Sequence, residues 1–153
     1  SKEMIRMALK ETNKNKRIEY INSDLVNFDF ESIKNFDGII CSSVIEYLDN
    51  PDTMLMNFYK HLKKNGHLVF SVPNENSLVR NIQIVLRNLF KCFKVRIFNY
   101  LEISKNSYTL CELNDFLANV GFIDYQIYKF DAILPDTLHK VFQPTLYVVF
   151  AKK

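Results

Sequence analysis

The residues of this chain that could do chemistry gather where short apolar runs end. Ser23-Asp24-Leu25 follow RIEYIN, Cys41-Ser42-Ser43 close FDGIICS with Glu46 and Tyr47 just beyond, and Pro73-Asn74 follow HLVFSV. Tyr47 could orient or deprotonate an acceptor hydroxyl, although a tyrosine on a turn after a strand reads equally well as packing. Cys41 reads as wall, because a buried cysteine is in general a small core residue and not a nucleophile. Cys41, Cys92 and Cys111 lie far apart, with no C-x-x-C pair and no histidine at metal spacing. His61 and His67 flank a helix-to-strand turn and read as surface. One stretch, Ser77 to Phe98, carries Arg80, Arg87, Lys91, Lys94 and Arg96, with no acid between Glu75 and Glu102.

Elements that would position these residues can be read from periodicity. Met4, Ile5, Ala8 and Leu9 share a face of a first helix from about Lys2 to Asn13, for which Ser1 stands as N-cap. Arg17 to Asn22 reads as a short strand, and Phe36 to Ser42 as a strand buried on both faces of a parallel sheet. The clearest helix runs from Asn50 to Gly66. Asn50 caps it, Pro51 takes the first position, Asp52 and Lys63-Lys64 suit its two ends, and Gly66 is its left-handed stop. His67 to Val72 is the next buried strand. A helical stretch from about Asn76 to Phe98 follows, then a T-x-x-E capping box, Thr109 and Glu112, opening a helix that ends at Gly121. Strands near Phe122 to Phe130 and Thr145 to Ala151 close the chain.

Composition sets the class. The 153 residues are 48% hydrophobic and 24% charged, which suits one globular core burying about 68–70% of the unfolded surface. Twenty basic residues against 17 acidic leave +3, too little to argue for nucleic acid. Odd, scattered cysteines suit a reducing cytoplasm, and no run of 18 uncharged apolar residues offers a membrane span. Buried strands alternating with helices predict an α/β fold, a mostly parallel sheet with an antiparallel pair at its edge.

FDGIICSSVIEYLDNPDTML, followed by LKKNGHLVFSVPN, resembles the central motifs of class I S-adenosylmethionine-dependent methyltransferases, closest to the ubiquinone-biosynthesis type. In that family a strand beginning Phe-Asp ends near a Leu-Glu-His-Leu turn, a helix opens with Asp-Pro, and a Leu-Lys-Pro-Gly-Gly turn leads to a strand ending Pro-Asn. SKEMIRMALK looks like the helix after the family's second strand, NSDL like the segment after its third, TLCELNDFLANVGF like its late helix and LYVVFAKK like its last strand. The resemblance implies a Rossmann-like sheet in the order 3-2-1-4-5-7-6, with the N-terminal strands and the glycine-rich cofactor loop outside this chain. Residues 1–153 would then be the C-terminal two-thirds of a single methyltransferase domain, with a basic lid or insertion at about 75–108.

The same resemblance assigns roles. Asp24 would accept from the adenine amino group, with a chain-turning carboxylate as its plainer role, and Leu25 would offer its N–H to the ring. Cys41 and Ser42 would sit beside the methionine moiety, and Glu46 and Tyr47 would be the catalytic pair. In the ubiquinone-type enzymes a Glu and a Glu-His pair hold a divalent ion; Ser43, Glu46 and Tyr47 stand here, so no metal is expected. The expected activity is methyl transfer from S-adenosylmethionine to an oxygen, or else a carbon or nitrogen, of a small or lipid-linked acceptor. The rival is a non-catalytic binding or scaffold module, or an inactive fragment, that keeps the fold. Residues 77–98 read either as a lid helix with its basic face in water or as a peripheral contact with anionic membrane.

Overall fold

A computed structural model describes residues 2–12, 15, 17–33, 35–92, 97–131, 137 and 142–153. The chain divides into two compact units, 1–33 and 34–153. The expectations for Ser1, Lys94 and Arg96 fall outside the described residues.

The first unit holds helix α1 (Lys2–Glu11) and a single 3-10 turn at Phe30–Ser32. No residue of α1 is buried. The strand expected at Arg17 to Asn22 is not formed: residues 18–22 have neither a helix nor a ladder partner. Alternation alone cannot make a strand, because its backbone groups need a neighbour to bond.

The second unit is built on a four-stranded sheet in the order β1 (Phe36–Cys41), β2 (Leu62–Pro73), β4 (Leu146–Lys152), β3 (Asp124–Phe130). β1 and β2 are parallel, and β4 runs antiparallel to both β2 and β3, so three strands share one direction and the last opposes them. Helices α2 (Pro51–His61), α3 (Leu78–Cys92), α4 (Tyr100–Ile103) and α5 (Leu110–Val120) lie between the strands in sequence. One sheet face carries Leu68, Phe70, Val72, Tyr147, Val149 and Ala151 into the core, where α2 brings Leu55 and Phe58 and α5 brings Leu113 and Leu117. Adjacent residues point to the opposite face, where Phe150 is exposed and Ile40 is 82% exposed. β1 therefore departs from the expected strand buried on both faces: it is an edge strand, and only Cys41 in it is buried.

The helix ends explain two further departures. α2 stops at His61, five residues before Gly66, and Leu62 already begins β2. Asn65, not Gly66, takes the left-handed conformation, with φ 64°. Glycine is needed at 66 for space, because a Cβ there would stand 2.9 Å from the Lys63 carbonyl oxygen. His61 is buried, its Nδ1 2.9 Å from the Asn57 carbonyl oxygen, and so is not the surface residue expected. Asn50 occupies the cap position of α2 without a side-chain cap bond, whereas Thr109 and Glu112 do form the reciprocal box on α5. Gly121 ends α5 at φ 107°, as its position after the apolar stripe suggests.

Lys63 and Lys64 do not serve the carboxyl end of α2; Lys153 does. Its ammonium donates to the carbonyls of Tyr59 at 2.6 Å, Lys60 at 3.0 Å and Leu62 at 2.8 Å, and lies 4.8 Å from the Tyr59 ring centroid. Lys153→Met should therefore destabilise the fold by about 1–2 kcal/mol, from the lost carbonyl partners and helix-end charge. Chemical denaturation checks this, and an unchanged midpoint would show that water replaces the ammonium without cost.

Candidate active site

Where β1, β2 and β3 end and β4 begins, their termini converge, since Pro73 and Phe130 both pair with Leu146. The chain must turn here four times. β1 leads into Ser43, held in a left-handed conformation (φ 52°), whose N–H bonds Ser71 Oγ at 2.9 Å. A 3-10 turn, Ile45–Tyr47, follows and buries Ile45 and Glu46. That turn is clamped from another loop. The N–H groups of Lys105 and Asn106 donate to the Glu46 carbonyl at 2.7 and 3.0 Å, and Asn106 Nδ2 donates to the carbonyls of Leu48 at 2.7 Å and Ile45 at 3.2 Å.

Beside it lies a cavity of about 340 Å³, lined by Ser43, Glu46 and Tyr47, by Arg80 and Gln83 of α3, by Tyr100 of α4 and by Asp131, Thr145 and Leu146. The Glu46 carboxylate is a close neighbour of the Tyr47 phenol, and burial first, with that carboxylate, raises the phenol above its ordinary value, while Arg80 pulls the other way. The phenol thus stays protonated at neutral pH, with a hydrogen available to the neighbouring carboxylate. Opposite, Tyr100 donates to Gln83 Oε1 at 2.8 Å and Arg80 Nη2 to Ser104 Oγ at 2.7 Å. The strand-end Asn74 is wholly buried beneath; its side chain bonds the Pro144 carbonyl and the Asn76 N–H, so it holds loops together.

Glu46 and Tyr47 are thus brought together at one cavity. Cys41 is buried at the end of β1 and burial pushes its thiol up to about 11, so it stays an unreactive thiol at neutral pH. Ser42 beside it is exposed. Asp24 and Leu25 belong to the first unit, where the Asp24 carboxylate takes the Val26 N–H at 3.1 Å and Asn27 Nδ2 at 3.2 Å. Among the described residues no group of three or more His, Cys, Asp or Glu is placed to hold a metal ion, and no helix is long and apolar enough to cross a membrane.

Arg80, Gln83, Tyr100, Ser104, Asn106 and Asp131 were not singled out individually as site residues by sequence reasoning; Arg80 alone carried a signal, as the first cation of the basic stretch. The basic face expected in water holds for Lys91, which is exposed, but not for Arg80. α3 also leaves Leu78, Ile82, Val85, Leu89 and Phe90 41–57% exposed, while Arg80 is half-buried in the cavity wall, so apolar as well as basic residues of this helix meet water.

Residues 1–70 match the family model described as a methyltransferase domain. A 72-residue stretch is 32% identical to a ubiquinone biosynthesis O-methyltransferase of Rickettsia akari (strain Hartford), covering 47% of this chain and 28% of that relative. The chain thus aligns over about a quarter of the length of this curated relative. Among solved structures, an S-adenosylmethionine-dependent methyltransferase from Archaeoglobus fulgidus superposes with a TM-score of 0.61 at 21% identity, over 87% of this chain and 66% of that one. The N-methyltransferase NodS from Bradyrhizobium japonicum WM9, in complex with S-adenosyl-L-homocysteine, does so with a TM-score of 0.59 at 16% identity, over 97% and 61%. The strand order and the antiparallel last strand, the matched domain model and the curated relative all agree with the resemblance of the motifs to class I S-adenosylmethionine-dependent methyltransferases.

Proposed function

We propose that the protein carrying this chain transfers a methyl group from S-adenosylmethionine to an oxygen of a small or lipid-linked acceptor seated beside Glu46 and Tyr47. The observation that carries this reading is a buried carboxylate next to a phenol on the wall of a cavity at the carboxyl end of the sheet. When bound, S-adenosylmethionine would supply a methyl group on a cationic sulfur, open to in-line displacement. The small, exposed Ser42 next to inert Cys41 fits its methionine end. Asp24 and Leu25 keep the adenine contact that the resemblance gives them.

This chain's own residues would handle the proton. Tyr47 would turn its hydrogen to the neighbouring Glu46, which leaves the lone pairs of its oxygen free to accept the acceptor's O–H. As the acceptor oxygen takes the methyl group, its proton passes to the Tyr47 oxygen and the Tyr47 proton passes to Glu46. Glu46 ends neutral and Tyr47 is restored. Residues of the 75–108 region, Arg80 and Gln83 foremost, close the acceptor side.

One observation favours the rival binding module: both Asp24 oxygens are already engaged within their own turn. Calorimetric titration of the whole protein with S-adenosylmethionine separates the two. Saturable binding is expected, weakened about 10–100-fold in Asp24→Ala, the worth of a hydrogen bond between a charged and a neutral group. Binding by Asp24→Ala equal to the parent removes Asp24 from the site, and no binding at all favours the module.

The outward apolar face of α3, with Lys91 at its far end, supports the further proposal of a peripheral contact with anionic membrane at its cytoplasmic surface. Vesicles containing anionic lipid should sediment the protein, and Val85→Asp with Leu89→Asp should abolish this. Sedimentation that the two aspartates leave unchanged would remove α3 from the contact.

A further inference from the structure

Arg80 is the only cation among the described residues that line the cavity. It is fixed at the first turn of α3, where its backbone N–H meets the Ser77 hydroxyl at 3.3 Å and Ser77 is fully buried. Its side chain reaches across to the segment after α4, with Nη2 2.7 Å from Ser104 Oγ. That hydroxyl is neutral, and none of the ion pairs among the described residues includes Arg80. Neither carboxylate of the cavity forms an ion pair with Arg80 among the described residues, and Asp131 takes the Thr145 N–H at 3.0 Å.

A guanidinium has five N–H donors in a rigid planar fork that matches a carboxylate, and Ser104 uses only one of them. Bracing by a neutral hydroxyl orients the fork without neutralising it. The charge is felt inside the cavity, since Arg80 is the one group that lowers the Tyr47 phenol against burial and Glu46. Tyr47, Tyr100 and Leu146 supply flat and apolar wall, and a cavity of about 340 Å³ is at the small end of ligand sites, suited to a single ring.

We propose that Arg80, braced by Ser104, selects acceptors that carry a carboxylate in addition to the atom to be methylated. This rests on the reading of the cavity as the acceptor site. Glu46 and Tyr47 then act on one end of the acceptor while Arg80 fixes the other.

The test needs neither turnover nor methyl donor. The whole protein is titrated with 2-, 3- and 4-hydroxybenzoate and with phenol, the same ring with and without a carboxylate, and binding is followed through the backbone amide resonances of Tyr47 and Tyr100. At least one hydroxybenzoate should bind about 10–100-fold more tightly than phenol. Arg80→Met should bring the two affinities together at the phenol value, and Arg80→Lys should keep part of the preference, because the charge remains without the fork. Should Arg80→Met fail to fold, the Arg80→Lys and wild-type titrations still decide the matter. Equal affinity of the wild type for all four probes, or a preference that survives in both variants, overturns the role of Arg80 while leaving the cavity as the acceptor site. If no probe at millimolar concentration moves either resonance, the acceptor-site reading fails and this proposal with it.

Discussion

Replacing Tyr47 with Phe is expected to lower kcat for methyl transfer by about 10²–10⁴-fold, the range by which a positioned proton-transfer group accelerates a reaction. The substitution removes one oxygen atom from the cavity wall, yet it breaks the route from the acceptor to Glu46. Glu46→Gln should cost a similar factor, since an amide accepts the Tyr47 hydrogen bond but not its proton. The double variant should be scarcely worse than either single one, because residues that act as a unit are not additive. Affinity for S-adenosylmethionine should be unchanged in all three. The pH profile gives an independent sign: burial and Glu46 raise the Tyr47 phenol above its ordinary value, so it holds its proton throughout the neutral range. Any rise in rate in that interval then belongs to another group and should persist in Tyr47→Phe as a residual, parallel curve. A Tyr47→Phe enzyme with near-normal kcat would reduce Tyr47 to packing.

Asn74→Leu is expected to lower the melting temperature by about 5–20 °C. Asn74 has no exposed surface, and its side chain satisfies two backbone groups at once, the Pro144 carbonyl at 2.7 Å and the Asn76 N–H at 2.9 Å. Its own N–H bonds the Thr145 carbonyl, and its neighbours Pro73 and Glu75 bond Tyr108. Leucine has similar bulk but no polar atoms, so both partners would be left unpaired, at about 1–3 kcal/mol each. The sum of about 2–6 kcal/mol is a large share of a typical domain stability, and each kcal/mol moves the midpoint of a chain this size by about 2–4 °C. A shift under about 2 °C would show that water reaches these groups. The Pro-Asn strand end is therefore a structural clamp: it ties the end of β2 to the start of β4 and to the loop before α5, which keeps Thr145 and Leu146 on the cavity wall.

What this sequence settles by itself is whatever depends on neighbours along the chain. The α5 capping box needs only Thr109 and Glu112 three residues apart, and its end needs only a residue able to reach φ 107°, which Gly121 is. The apolar runs at 36–42 and 67–72 became strands, and the motifs around Glu46 and Tyr47 carried the family resemblance before any coordinate. Tertiary structure decided the rest, through interactions between distant residues. Arg17 to Asn22 alternates like a strand but has no ladder partner, and a strand's hydrogen bonds all come from outside itself. Gly66 looked like a helix stop, yet Lys153, 91 residues or more along the chain from the carbonyls it caps, holds the true end of α2 at His61. α3 is amphipathic on any reading, but periodicity says only that two faces differ, never which one meets water. Arg80 lies with the cavity because Ser77 and Ser104 hold it there, and its partnership with Ser104 spans 24 residues that no local pattern encodes.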